Sequence, residues 1–277
     1  MGRLKATVSR GLWRALVDHA ERTREPLPHI VSKALAEYLQ VAHHTLYQVS
    51  TATALVEGIY QGAMQVATLR AHGDLGLGTF EDLDGEMVIV DGHFFQARAD
   101  GSVKEVKDNV LSPFAAVTAF SADETMVLQT CPDLRELTTR FDELRSSENF
   151  FYALRVDGTF DLVHARAMRR TKEGVPLVRA AAVQPEFVFR NITGTLVGFW
   201  TPEYAKSLNV PGYHLHFISQ DRTRGGHVLQ LRGTNLRLQI QSEGEYHIVL
   251  PGTKDFVKAN LLRDPSADLA KAEGEKK

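Results

Sequence analysis

Apolar and polar positions divide the chain into two parts. In residues 1–44, Leu4 to Ser9 alternates in character and predicts a short strand. Leu12, Trp13, Leu16, Val17 and Ala20 then recur at helical spacing, and Thr23 to Pro28 breaks the helix. Leu27, Ile30, Val31, Ala34, Leu35, Tyr38 and Leu39 form a second stripe, with Pro26 or Pro28 suited to its first turn. From Thr45 onward, short β-like runs dominate: Met87–Val90, Phe94–Ala97, Ala115–Phe120, Phe151–Val156, Thr159–Ala165, Phe187–Phe189, Thr195–Trp200, Tyr213–Ser219, His227–Arg232, Leu236–Gln241 and Tyr246–Leu250. Asp84-Gly85, Asp91-Gly92, Asp100-Gly101 and Asp157-Gly158 punctuate them as hairpin turns. Helices are expected at Ala52–Tyr60, Pro132–Arg145 and Pro202–Ser207. Strand and helix do not alternate regularly, which argues against a doubly wound parallel fold. The expected class is α+β: a mixed β-sheet domain plus a β-barrel-like domain over residues 45–277, preceded by a strand-helix-helix segment over residues 1–44. The final stretch RDPSADLAKAEGEKK is polar and reads as a disordered tail.

Strand, helix, turn and helix in so short a span resemble the ribbon-helix-helix module. That resemblance implies paired strands in a dimer, with Lys5, Thr7 and Ser9 facing outward towards DNA. The segment carries seven Lys/Arg against four Asp/Glu, so +3, and the remainder carries −5. It has too little surface to bury alone, so dimerisation or packing is expected ahead of sequence-specific DNA binding. No apolar block marks residues 1–20 as a targeting signal, and no run approaches the ~18 apolar residues of a membrane helix. A soluble, cytoplasmic protein is expected. Over all 277 residues, 34 acidic and 32 basic side chains give a net charge of −2, which argues against a uniformly basic nucleic-acid binder. The single Cys131 excludes a disulfide framework and a multi-cysteine zinc site. A bound metal would therefore rest on histidines, of which there are 11, and on carboxylates.

The segment GYHLHFISQDRTRGGHVLQLR carries the strongest chemical signal. His214 and His216 lie two apart in a β-like run and so share a face. Gln220–Gly225 supplies a turn. If Ser219 pairs with Gly226, His227 lies opposite Ile218; a register moved by two residues puts it opposite His216. Three imidazoles converge either way, with room for a fourth ligand, as in a catalytic zinc site. Nickel, manganese or iron suit similar ligands.

LYQVSTATAL and HGDLGLGTFEDLDGEMVIVDGHFFQ resemble the N-terminal half of the alpha-acetolactate decarboxylase family. FWTPEYAKSLNVPGYHLHFISQDRTRGGHVLQL resembles its C-terminal half, and the likeness runs from about Leu46 to the C-terminus. It implies a metal-dependent lyase that converts 2-acetolactate to (R)-acetoin and carbon dioxide through a metal-stabilised enediolate, assembled as a homodimer. By the same resemblance His214, His216 and His227 hold zinc, Glu86 and Thr79 lie near the metal, Arg166 faces the substrate carboxylate, and Glu273 folds back onto the site. Arg169 and Arg170 stand close to Arg166, and Glu275 close to Glu273. Two other readings stay open: a metabolite-sensing, DNA-binding regulator on a decarboxylase-like domain, and a metal-dependent hydrolase in which Glu86 activates water.

Overall fold

The structure is a computed structural model that describes residues 5–23, 26–39 and 44–274, with the His29 side chain set aside. The chain forms two compact units, divided between residues 43 and 44.

The N-terminal unit contains α1 (Arg10–Thr23) and α2 (Leu27–Leu39). None of its described residues is buried. Of the expected Leu4–Ser9 strand, Leu4 lies outside the described residues, and residues 5–9 form no strand within one chain. Within one chain these residues have no ladder partner. Ser9 instead caps α1. Its hydroxyl accepts from Leu12 N–H at 3.2 Å and its carbonyl from Trp13 N–H, which satisfies donors that the first turn leaves free.

The larger unit is a pair of sheets with peripheral helices. The first sheet runs, in spatial order, β14 (Glu245–Val249), β1 (Thr45–Val49), β8 (Ala115–Thr118), β3 (Leu75–Thr79), β4 (Glu86–Val90), β5 (His93–Ala97) and β6 (Val103–Glu105). β1 and β14 are parallel and the other neighbours antiparallel, so the sheet is mixed. The second sheet follows the order β10 (Phe151–Arg166), β11 (Glu186–Thr201), β12 (Gly212–Ser219), β13 (Gly225–Glu243) and β9 (Glu124–Cys131), with an additional β10–β13 pairing. A two-stranded ribbon joins β2 (Met64–Gln65) to β7 (Leu111–Ser112).

The sheets stack face to face. Leu46, Leu77, Val88 and Phe95 of the first meet Ala153, Val197, Phe199 and Ile218 of the second in one buried cluster. Each of the Leu, Val, Ile and Phe side chains, fully buried, is worth roughly 1.5–3 kcal/mol. Of the helices, α4 (Val66–Arg70) supplies Val66 and Leu69 to the other side of the first sheet. α5 (Leu134–Leu144) buries Leu137 and Phe141 in the core of the second. A third group, α3 (Ala52–Val56), α6 (Leu177–Ala181) and α8 (Ser266–Glu273), packs around Tyr60, Leu83 and Met168. α7 (Lys254–Lys258) buries no residue. No described helix is long and apolar enough to cross a membrane.

Two expectations are corrected here. Asp157-Gly158 is not a hairpin turn: it lies inside the 16-residue strand β10, where Gly158 faces Gly194. The Asp157 carboxylate accepts from Arg155 on its own strand and from Thr195 and Gln239 on the neighbouring ones, so its polar need is met within the sheet rather than within a turn. A Cβ on Gly158 would stand 2.6 Å from Leu236 Cδ2, and the β10–β13 register shifts beside it. The second concerns the polar tail. Ser266–Glu273 is helical, and Leu269 and Ala272 are buried, which supplies the apolar contact that so short a helix needs. Glu275 lies outside the described residues.

Candidate active site

β12 and β13 bring the imidazoles together. His214 and His216 project to one face, and His216 pairs directly with His227 across the ladder. Of the two registers that the sequence left open, the fold takes this one. The ring centroids lie 5.0 Å, 5.0 Å and 5.5 Å apart, and the potential ligand atoms all lie within 4.8 Å of one another. His214 Nε2 and His216 Nε2 are 3.2 Å apart. All three residues are buried.

The electrostatics suit a cation. Burial, with the Arg166 guanidinium as a further cause, holds the His214 ring down at about 3. Burial first, and then neighbouring imidazoles and Arg166, keep His216 and His227 well below the ordinary histidine value. Three neutral rings offer lone pairs rather than charges. His216 Nδ1 lies 2.8 Å from Met87 O on β4. Donation to that carbonyl fixes the tautomer and leaves Nε2 as the ligand atom. His214 Nδ1 is buried with no protein partner. The donor set, its protonation and its spacing all fit a divalent metal ion.

A carboxyl comes from the other sheet. Glu86 opens β4 opposite Thr79 of β3. Gly85 precedes it at φ +88°, a left-handed turn that glycine accepts without strain. The chain just before is held open at Asp82 and Leu83, both with positive φ. Asp82 is pinned by Thr171 N–H on its carbonyl and by Arg170 on its carboxylate, while Leu83 is buried. Thr79 Oγ1 donates to Gly85 O at 2.8 Å and closes the same turn. Glu86 Oε1 accepts from Met168 N–H at 2.9 Å, and Oε2 lies 3.7 Å from His216 Nε2. Burial pushes the Glu86 carboxyl up to about 8. The Met168 N–H opposes the rise, Glu273 adds to it, and Arg166 works against it.

Arg166 ends β10 and pairs with His227 across the sheet. It is buried, whereas Arg169 and Arg170 bond to Val183 O and Asp82 in exposed positions. Arg166 Nη2 donates to Ala272 O and lies 3.8 Å from Glu273 Oε2. Glu273 Oε2 is 3.5 Å from His227 Nε2. Burial raises the Glu273 carboxyl, with Arg166 opposing. Thr79, Glu86, Arg166, His214, His227 and Glu273 line one cavity, with His216 buried behind them. Its remaining wall is mostly apolar, including Leu83, Phe114 and Met168. Sequence reasoning missed the Met87 carbonyl and the Met168 N–H, because backbone groups carry no signature in the side-chain pattern. It also missed Gln184, a buried polar residue on the cavity wall.

Fold and site define a two-sheet α+β protein with a buried three-histidine cavity of the kind that holds a catalytic metal. The chain belongs to the alpha-acetolactate decarboxylase family, whose profile matches residues 46–263. It is 45% identical to alpha-acetolactate decarboxylase from Methanosarcina mazei over 233 residues, which cover 84% of this chain and 81% of that one. Identity to the Brevibacillus brevis protein of the same name is 40% over 235 residues, covering 84% and 82% of the two chains. The crystal structure of alpha-acetolactate decarboxylase from Bacillus subtilis strain 168 matches with a TM-score of 0.81 at 38% identity, covering 83% of this chain and all of that one. Glu273 lies beyond the span matched by the family profile.

Proposed function

We propose that this chain decarboxylates 2-acetolactate to acetoin and carbon dioxide, with His214, His216 and His227 holding one divalent ion, zinc in the first instance. What carries the reading is the convergence of three neutral imidazoles, Glu86, Arg166 and Glu273 around one cavity, in a chain of this family. A divalent ion held there supplies Lewis-acid stabilisation of negative charge developing on substrate oxygen.

The chain's own groups do the rest. The Arg166 guanidinium binds the substrate carboxylate and aims the scissile bond. Breaking that bond expels carbon dioxide and passes the electron pair to the neighbouring carbonyl, after which carbon must take one proton. In the metal-free site burial raises the Glu86 carboxyl to about 8, which favours its protonated form and makes it the proton donor of this reading. Because Oε1 accepts from Met168, the proton resides on Oε2. Its delivery from one face gives a single enantiomer, R by resemblance to the family. Glu273 closes the cavity from α8 and acts as a second proton carrier. Thr79 positions the turn into Glu86, since its hydroxyl proton is committed to Gly85 O.

A barrel-like reading of the second sheet is supported by the pairings β10–β11, β11–β12, β12–β13 and β13–β10, which return to the starting strand. Homodimeric assembly with residues 1–44 as a dimerisation or packing element is supported by the absence of buried residues among those described there. The regulator reading has no observation in its favour.

The test is acetoin formation from 2-acetolactate, with elemental analysis of the purified protein. His216→Ala is expected to lose metal and activity together. A variant that keeps both removes the metal assignment, and a wild-type chain that makes no acetoin removes the proposal.

A further inference from the structure

Most polar groups around the cavity are already engaged. Thr79 bonds to Gly85, Glu86 to Met168, His216 to Met87 and Arg166 to Ala272. Gln184 differs. It lines the cavity at 7% exposure, and its side-chain amide makes no hydrogen bond with any described residue. Its amide atoms keep some access to solvent, and an amide without a protein partner at a cavity wall is available to a ligand.

The backbone fixes where that amide sits. Gln184 lies between the end of α6 and the start of β11, and its N–H donates to Ala181 O. The next residue, Pro185, accepts at its carbonyl from Ala167 N–H. Glu186 is the cross-strand partner of Arg166. Gln184 is thus held on a segment bonded directly to the one that carries Arg166.

We propose that Gln184 is a further substrate-binding residue, which donates from its side-chain amide to the same carboxylate that Arg166 binds. This rests on the decarboxylase reading. The two groups grip the carboxylate from adjacent segments, one with charge and one without. The neutral partner has a chemical rationale. As the carbon–carbon bond breaks, its electron pair moves to the carbonyl oxygen, the carboxylate becomes uncharged carbon dioxide, and a proton replaces it on carbon. A second cation would hold the charged ground state more strongly than the transition state and slow the step. An amide orients the group and gives up less when the charge departs.

The experiment uses the full chain loaded with metal. Wild type, Gln184→Leu and the nearly isosteric Gln184→Glu are compared for kcat and KM on 2-acetolactate, for inhibition by acetoin, for metal content and for unfolding temperature. Acetoin keeps the ketone and hydroxyl oxygens but lacks the carboxylate. Losing a hydrogen bond to a charged group corresponds to about a tenfold to hundredfold effect. The expected result is that fall in kcat/KM for Gln184→Leu, a fall in Gln184→Glu as well because it loses the amide donor, and acetoin inhibition within twofold of wild type in both. Two results overturn the proposal. One is kcat/KM within twofold of wild type in Gln184→Leu. The other is acetoin inhibition weakened in step with kcat/KM in both variants, which puts the contact on the other oxygens or traces the loss to a damaged site. A wild type that makes no acetoin refutes the parent reading instead, so the two failures are distinguishable.

Discussion

Glu86→Gln in the metal-free protein should change how stability depends on pH. The folded carboxyl sits at about 8 against an ordinary value of 4.5. The folded state therefore holds more protons than the unfolded state between those values, so stability must fall as pH rises through that window. Below about pH 4.5 both states are protonated and the penalty is absent. Each unit is worth about 1.36 kcal/mol, so the full window corresponds to at most about 5 kcal/mol. Gln keeps the carbonyl that accepts from Met168 N–H and has no proton to lose. Glu243, also buried and raised to about 8, remains in both proteins and cancels from the difference. Urea unfolding of chelator-treated wild type and E86Q from pH 4 to 8 gives the comparison. E86Q should gain on wild type progressively with pH, by several kcal/mol at pH 8. Parallel stability curves would refute both the burial argument and the protonated Glu86 it supports. Added metal should narrow the gap, because a nearby divalent charge favours the ionised carboxylate.

Gly198→Ala should destabilise by about 1–3 kcal/mol through overpacking, because its Cβ would meet His214 O at 2.0 Å; a lower unfolding temperature together with weaker metal retention checks it. Truncation after Arg263 removes Leu269, Ala272 and Glu273 from the cavity wall. It should lower kcat while leaving the circular dichroism of the sheets intact, and unchanged kcat would dismiss α8 from the chemistry. Deleting residues 1–44 should alter the mass measured by light scattering more than kcat/KM. An unchanged mass counts against the assembly role.

Legibility in the sequence followed how local each cause was. The HxH pair was readable because period-two alternation alone puts His214 and His216 on one face. The position of His227 needed the register across a turn, which spacing restricts to a few choices and tertiary packing decides. Asp157-Gly158 misled because the same dipeptide that favours a turn also tolerates a close strand crossing, here against Leu236. Leu75–Thr79 escaped notice as a strand because LGLGT carries two glycines and no β-branched residue before Thr79. The tail misled because its two buried apolar residues are diluted among charges. The family resemblance, not the pattern, singled out Arg166 among three nearby arginines, and only the structure shows that the other two are exposed and bonded elsewhere.

The bond from His216 to Met87 O crosses from one sheet to the other. The ligand face of that imidazole is therefore aimed by a strand that contributes no ligand itself. An ion held by the three imidazoles would favour the ring orientation that this bond sets, and so would favour the docked arrangement of the two layers. Chelation should loosen the seam between the layers before either sheet melts, so amide exchange along Glu86–Val90 should quicken first.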